Sequence, residues 1–107
     1  MEISQERIRK FWEKCGFRYV HETIHFRYYY KEHYWQYPNG DNKQYSPPID
    51  LNNLFKYAVP KLENDVAIKI FKGDYSWIVE LWKDNIIARD HDKDPATALF
   101  LAIEKVI

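Results

Sequence analysis

The residues Phe26-Arg27-Tyr28-Tyr29-Tyr30-Lys31-Glu32-His33-Tyr34-Trp35 alternate rings with basic groups. Rings in such a run can stack on nucleobases while Arg27 and Lys31 meet phosphates, the chemistry of a single-strand or nucleotide-binding surface. The same pattern suits a β segment whose alternate rings enter a core while the others cover its edge, because aromatic residues favour strands. Glu22, Glu32 and Asp41 dilute the positive field nearby.

Other chemistry is weaker. His21 and His25 would lie on one face of a strand or helix, and His33 offers a third imidazole, but structural zinc wants four ligands at tight spacing and Cys15 is the single cysteine. We therefore expect exposed or hydrogen-bonded histidines and no metal site. Asp90-His91-Asp92-Lys93-Asp94 begins like a calcium loop, yet the loop needs Gly where Pro95 stands and Glu where Leu101 stands. A polar turn leading into a helix cap explains these acids better. Cys15 falls on the apolar stripe of a helix, where a small hydrophobe belongs rather than an activated thiol. No Gly-x-Ser-x-Gly, His-Glu-x-x-His or phosphate-binding Gly loop occurs, and there are only three glycines from which to build one. The expectation is no catalytic residue, no cofactor and no enzyme.

The elements that must position these groups can be read from spacing. Ile8, Phe11, Trp12 and Cys15 recur at helical intervals, with Ser4 as cap, Glu6 in the first turn and Gly16 at the end. Residues 17–37 are β-branched and aromatic, which predicts two strands joined near His21 to Phe26 or near Lys31 to His33. Pro38-Asn39-Gly40-Asp41-Asn42 and Pro47-Pro48 bracket an exposed loop. Asp50 caps a second helix with Leu51, Leu54, Phe55, Ala58 and Leu62 as its stripe, and Pro60 should push Val59 from helical angles to give a kink or short final turn.

Val66 to Phe71 and Ser76 to Trp82 read as a hairpin, and Asp84-Asn85 turns the chain into a third strand, Ile86 to Arg89. Ile68 and Ile70 on one face, with Phe71, Ile78 and Trp82 on the other, make this meander apolar on both sides, which calls for helices above and below it. Asp94 as cap and Pro95 at the first position open a last helix with Leu99, Ala102, Ile103 and Val106 as its stripe. The expected fold is therefore α+β, an α/β/α layered sandwich with three helices packed on an antiparallel meander, in a single domain spanning 1–107.

At 107 residues the chain has the length of one ordinary domain, and aromatic residues form 18% of it, enough to let a small core bury a large area. Sixteen basic residues balance sixteen acidic ones, which argues against a general nucleic-acid coat. The lone cysteine fits a reducing compartment, and neither a membrane span nor a signal peptide is evident, so a cytoplasmic location is expected.

The order helix, β-rich segment, Pro-Pro loop into Leu51-Asn52-Asn53-Leu54-Phe55-Lys56-Tyr57-Ala58-Val59-Pro60-Lys61-Leu62, meander, and closing Asp94-Pro95-Ala96-Thr97-Ala98-Leu99 helix resembles the phage ABA sandwich family. The resemblance extends roughly from Ile3 to Ile107. It implies a small phage or prophage product with an α/β/α layered fold in the cytoplasm of a bacterial host, and it carries over no active-site or ligand set.

Together these readings give an interaction module that docks on a protein partner, such as a host or defence factor, or on its own copies, with no membrane contact. Tyr and Trp beyond what a core absorbs supply contact energy at interfaces. The expected surface comprises Arg27, Tyr29, Lys31 and His33, continuing through Tyr34, Trp35, Tyr37 and Tyr45. Nucleic-acid or nucleotide binding through the same surface is the alternative.

Overall fold

The structure, a computed structural model, describes the backbone of residues 2–25 and 29–107 and the side chains of 2–21 and 33–107. It has the α+β class expected: three helical segments and two antiparallel three-stranded sheets. The described residues group into two compact units, 2–47 and 48–107.

In the first unit, α1 (Gln5–Lys14) starts where Ser4 adopts an extended backbone and its hydroxyl accepts the Arg7 N–H at 3.2 Å. One orphan amide of the first turn is thereby satisfied. The helix ends before Gly16, whose φ of 97° is the left-handed turn that a residue with a Cβ would resist. Phe11, Trp12 and Cys15 are buried, as the apolar stripe predicts, while Glu6–Lys10 and Arg9–Glu13 form ion pairs one turn apart on the exposed side.

The chain then forms β1 (Arg18–His25), β2 (Tyr29–Gln36) and β3 (Asn42–Lys43), in sheet order β1-β2-β3. Lys31 to His33, one of the two predicted junctions, lies inside β2. The strands connect after His25, and Phe26 to Tyr28 fall outside the described residues. The exposed loop is partly ordered, because its turn is closed by Tyr37 N–H to Asp41 C=O (2.8 Å) and Gly40 N–H to Tyr37 C=O (2.9 Å), which lets β3 pair with Trp35 and Gln36.

Trp12 is the centre of this unit's core. It is fully buried between Phe11 (5.2 Å between ring centroids) and Phe17 (5.1 Å), and Phe17 in turn meets Tyr37 at 4.8 Å. Its indole N–H donates to the Pro47 carbonyl at 3.0 Å, so the far end of the loop is tied to the helix by the one polar atom of the Trp12 ring.

In the second unit, Asp50 accepts the Asn53 N–H and opens α2 (Leu51–Asn53), which passes into a π-helical turn (Leu54–Ala58) and a 3₁₀ turn (Val59–Lys61). Val59 does not leave the helical region as expected from the proline after it; its φ and ψ are −56° and −41°. The Val59 N–H instead reaches back five residues to Leu54. Widening the turn in this way makes room for the Pro60 ring, which would otherwise press on the carbonyl four residues earlier.

The meander follows as β4 (Ala67–Lys72), β5 (Trp77–Lys83) and β6 (Asn85–Asp92), with Asp84 at φ 65° between the last two. Ile68 faces Leu81 and Ile70 faces Val79 across the first pair, so the predicted apolar face is real. Helix α3 (Pro95–Glu104), capped by Asp94 on the Thr97 amide and hydroxyl, lies against β5 and β6 and buries Leu99, Ala102 and Ile103 completely. Val106, assigned to the same stripe, is 37% exposed beyond the helix end.

The opposite face carries the cross-strand row Lys69, Glu80, Arg89. Glu80 accepts the Trp82 indole N–H at 3.2 Å and pairs with Arg89 at 3.6 Å, while the Lys69 ammonium lies 4.8 Å from the Trp82 ring. A bulge between Leu81 and Trp82 leaves Ile86 and Ile87 both exposed on β6, and Lys105 reaches from the end of α3 to the Arg89 carbonyl. A bulge and a lysine are two ways in which an edge strand is kept from further pairing.

Candidate functional site

Alternation along β1 and β2 decides which rings share a face. The register sets Tyr19 opposite Trp35 and His21 opposite His33, so these four form a block on one side, whereas Val20 and Tyr34 pair on the other. Tyr19 and Trp35 have centroids 5.2 Å apart, and the two imidazoles stack at 4.3 Å with 21° between their planes. The Tyr19 hydroxyl lies 2.8 Å from Nδ1 of His33 and joins the two ring pairs.

Helix α1 supplies the next layer. The Arg9 guanidinium lies over the Tyr19 ring, its central carbon 4.9 Å from the centroid, as a cation on an aromatic face, and its Nε donates to Glu13 at 3.0 Å. Beside it opens a concavity of about 280 Å³ lined by Gln5, Ile8, Arg9, Tyr19, Trp35, Tyr45 and Ser46. Three rings from three separate stretches of chain thus surround one space, with a guanidinium, an amide and a hydroxyl at its walls.

Tyr45 is the exposed member, with 72% of its surface open. Its backbone is nevertheless held, because its carbonyl accepts the Tyr37 hydroxyl at 3.0 Å. A ring displayed on a restrained backbone loses less conformational freedom on binding than one on a free loop.

The residues predicted from the aromatic run distribute as follows. His33, Trp35 and Tyr45 come together at or beside the concavity; Trp35 is 7% exposed and contributes one wall. Tyr37 is equally buried and acts as core and as the tether of Tyr45, with the Lys43 ammonium 4.7 Å from its ring. Tyr34 is half-buried on the opposite face. Tyr29 and Lys31 lie on β2 with side chains outside those described, and Arg27 falls outside the described residues altogether.

Sequence reasoning missed Gln5, Arg9 and Tyr19. Arg9 follows Ile8 on the flank of the helical stripe, the only signal that could have pointed to it. Cys15 is fully buried in the core, as the stripe implies. Asp90 and Asp92 each accept a nearby backbone N–H, from His91 at 2.8 Å and Asp94 at 2.9 Å, but Asp90 to Asp92 are paired residues of β6, so the polar turn expected over this run is confined to Lys93 and Asp94, the latter capping α3. Among the described residues no group of three metal-ligating side chains occurs.

A second depression in the 48–107 unit, about 480 Å³, is lined by Ser76, Ile78, Arg89, Asp90, His91 and Lys105. Its principal charge is already engaged, since Lys105 pairs with Asp90 at 3.0 Å and donates to the Arg89 carbonyl at 2.7 Å. The aromatic concavity of the first unit is the better candidate.

No helix among the described residues is long and apolar enough to cross a membrane. No protein-family model, curated protein or solved structure matches the chain, so the likeness to the phage ABA sandwich family rests on the residues quoted for it above.

Proposed function

We propose that the chain is a small phage or prophage accessory protein that acts in the bacterial cytoplasm without catalysis, as an interaction module docking on a protein such as a host or defence factor. Its contact surface is the concavity walled by Arg9, Tyr19 and Trp35, with Tyr45 as the projecting ring. The observation that carries this reading is Tyr45 itself: a large ring, 72% exposed, on a backbone fixed by Tyr37 and placed beside two further aromatic walls. Clustered Tyr, Trp and Arg dominate binding energy at protein interfaces. The phage origin is supported by the family resemblance alone.

A second reading, binding of single-stranded nucleic acid, is favoured by one specific arrangement. The exposed rings of His21, His33 and Tyr45 lie on the unit that also carries the Arg9 cation, and exposed planar groups beside a cation are what bases stack on.

One comparison tests both. Tagged parent protein and the Tyr45→Ala variant are used to capture proteins from the host cytoplasm, and each is titrated with short single-stranded oligonucleotides at two salt concentrations. The docking reading expects a protein retained by the parent and lost from the variant, then confirmed with that protein purified. It fails if both forms recover the same proteins. Oligonucleotide binding by the parent that weakens with salt and with Tyr45→Ala would transfer the surface to nucleic acid.

A further inference from the structure

We propose that a second copy of this chain docks on the open edge of β4, the two β4 strands pairing antiparallel about a two-fold axis so that two three-stranded sheets join into one. β4 is the terminal strand of its sheet, and among the described residues only β5 pairs with it. The opposite edge, β6, carries a bulge, and Lys105 occupies its Arg89 carbonyl. β4 by contrast keeps an unbroken register over Ala67–Lys72 and contains no proline.

The turn shows which backbone groups of β4 point away from β5. Gly73 N–H donates to the Ser76 carbonyl at 2.8 Å, so Gly73 faces β5. Direction alternates along an antiparallel strand, which turns the N–H and C=O of Phe71, Lys69 and Ala67 toward β5 and those of Lys72, Ile70 and Ile68 outward. Such an outward row is a template on which another strand can pair.

Charge and facing select the register. Side chains directly opposite each other lie on the same face of a sheet, so the two-fold axis must pass through a residue. The axis at Lys69 pairs residues 67–71 and sets two Lys69 ammonium groups against each other. The axis at Ile70 pairs residues 68–72: Ile70 meets Ile70 of the second copy, Lys69 meets its Phe71, and Ile68 meets its Lys72. No like charges then face each other, and the outward groups of Ile68, Ile70 and Lys72 all find partners. Phe71, 40% exposed, and the half-buried Ile68 and Ile70 gain apolar cover. A strand of this length makes a small interface, so the association is reversible and concentration-dependent. It is independent of the docking reading, since no residue of β4 lines the concavity.

The test combines sedimentation equilibrium with amide hydrogen exchange by NMR on the full chain, each at about 20 μM and about 1 mM. The expected result is a dimer that grows with concentration, with exchange at Ile68, Ile70 and Lys72 slowing by at least about 3-fold at the higher concentration. Lys69 and Phe71, already bonded to β5, should change less. Two variants then read the register. Phe71→Lys and Phe71→Glu remove the same ring and, because sixteen basic residues balance sixteen acidic ones, shift the chain equally far from neutrality. Opposite Lys69 of the second copy one repels and the other attracts, twice per dimer, so Phe71→Glu should associate about 10-fold more tightly than Phe71→Lys, a gap that salt narrows. The proposal is overturned if the parent stays monomeric at the higher concentration, if protection appears elsewhere than at the outward amides, or if the two variants associate equally.

Discussion

Replacing Tyr37 by Phe removes one hydroxyl and leaves the ring in place against Phe17, 4.8 Å away. The hydroxyl donates to the Tyr45 carbonyl at 3.0 Å. A hydrogen bond of this kind contributes about 0.5–1.5 kcal/mol net, and more only when the abandoned partner stays dry. Tyr45 is largely exposed, so its carbonyl can turn to water, and the expected loss is about 1 kcal/mol, roughly a factor of 5 in the population of the tethered loop. Urea denaturation should show that loss with an unchanged slope. Hydrogen exchange should quicken about 5-fold at the Tyr37 amide, whose own bond to Asp41 closes the same turn. Binding of any partner that needs Tyr45 in place should weaken by no more than the same factor, because only the competent fraction changes. Tyr45→Ala, which deletes the ring itself, should cost about 2 kcal/mol or more if the ring is a binding anchor. The reasoning is refuted if Tyr37→Phe exchanges and binds as the parent does, or if it impairs binding more than Tyr45→Ala.

Trp12→Phe should be far more costly, about 2–4 kcal/mol, since it opens a void where no solvent reaches and strips the donor from the Pro47 carbonyl; a chemical-denaturation midpoint unchanged from the parent would show that the indole is not the centre of that core. Asp92 should make a small contribution to acid sensitivity. The Asp94 backbone N–H holds its carboxyl below the ordinary 3.8, so the stabilisation is present above that value and is lost as pH falls through the lower, folded one. The group is well solvated, which keeps the effect under about 1 kcal/mol. Asp92→Asn should therefore flatten the acid limb of the stability curve slightly, and an unaltered limb would rule the contact out as a contributor.

What could be read without coordinates was what is decided locally. Ser4, Asp50 and Asp94 each cap a helix through an amide three residues on, so type and spacing suffice to recognise them. Pro60 shows the limit of that logic. The clash it creates is local, but the helix had two ways to relieve it, and widening the turn before Val59 was chosen over bending after it. Neighbouring residues state the conflict without selecting the remedy.

The candidate site was half legible for a related reason. An aromatic run announces that rings exist, whereas a strand sends alternate members to opposite faces. Trp35 and Tyr34 therefore part company despite being adjacent, and Trp35 gains Tyr19, sixteen positions away in sequence, as its neighbour. That partnership depends on register, which the stretch 17–37 left open because it has no Asn-Gly or similar turn to fix it. A slip of two residues would keep every ring on its face yet set His21 against Lys31 or Trp35 and abolish the imidazole pair. Arg9 and Tyr45 are joined to the site only through the packing of α1 and the tether from Tyr37. A recognition surface of this kind is a property of pairing and tethering, and so substitutions along the contiguous run 26–37 would mix wall, core and opposite face, whereas Arg9, Tyr19 and Tyr45 changed singly probe one surface.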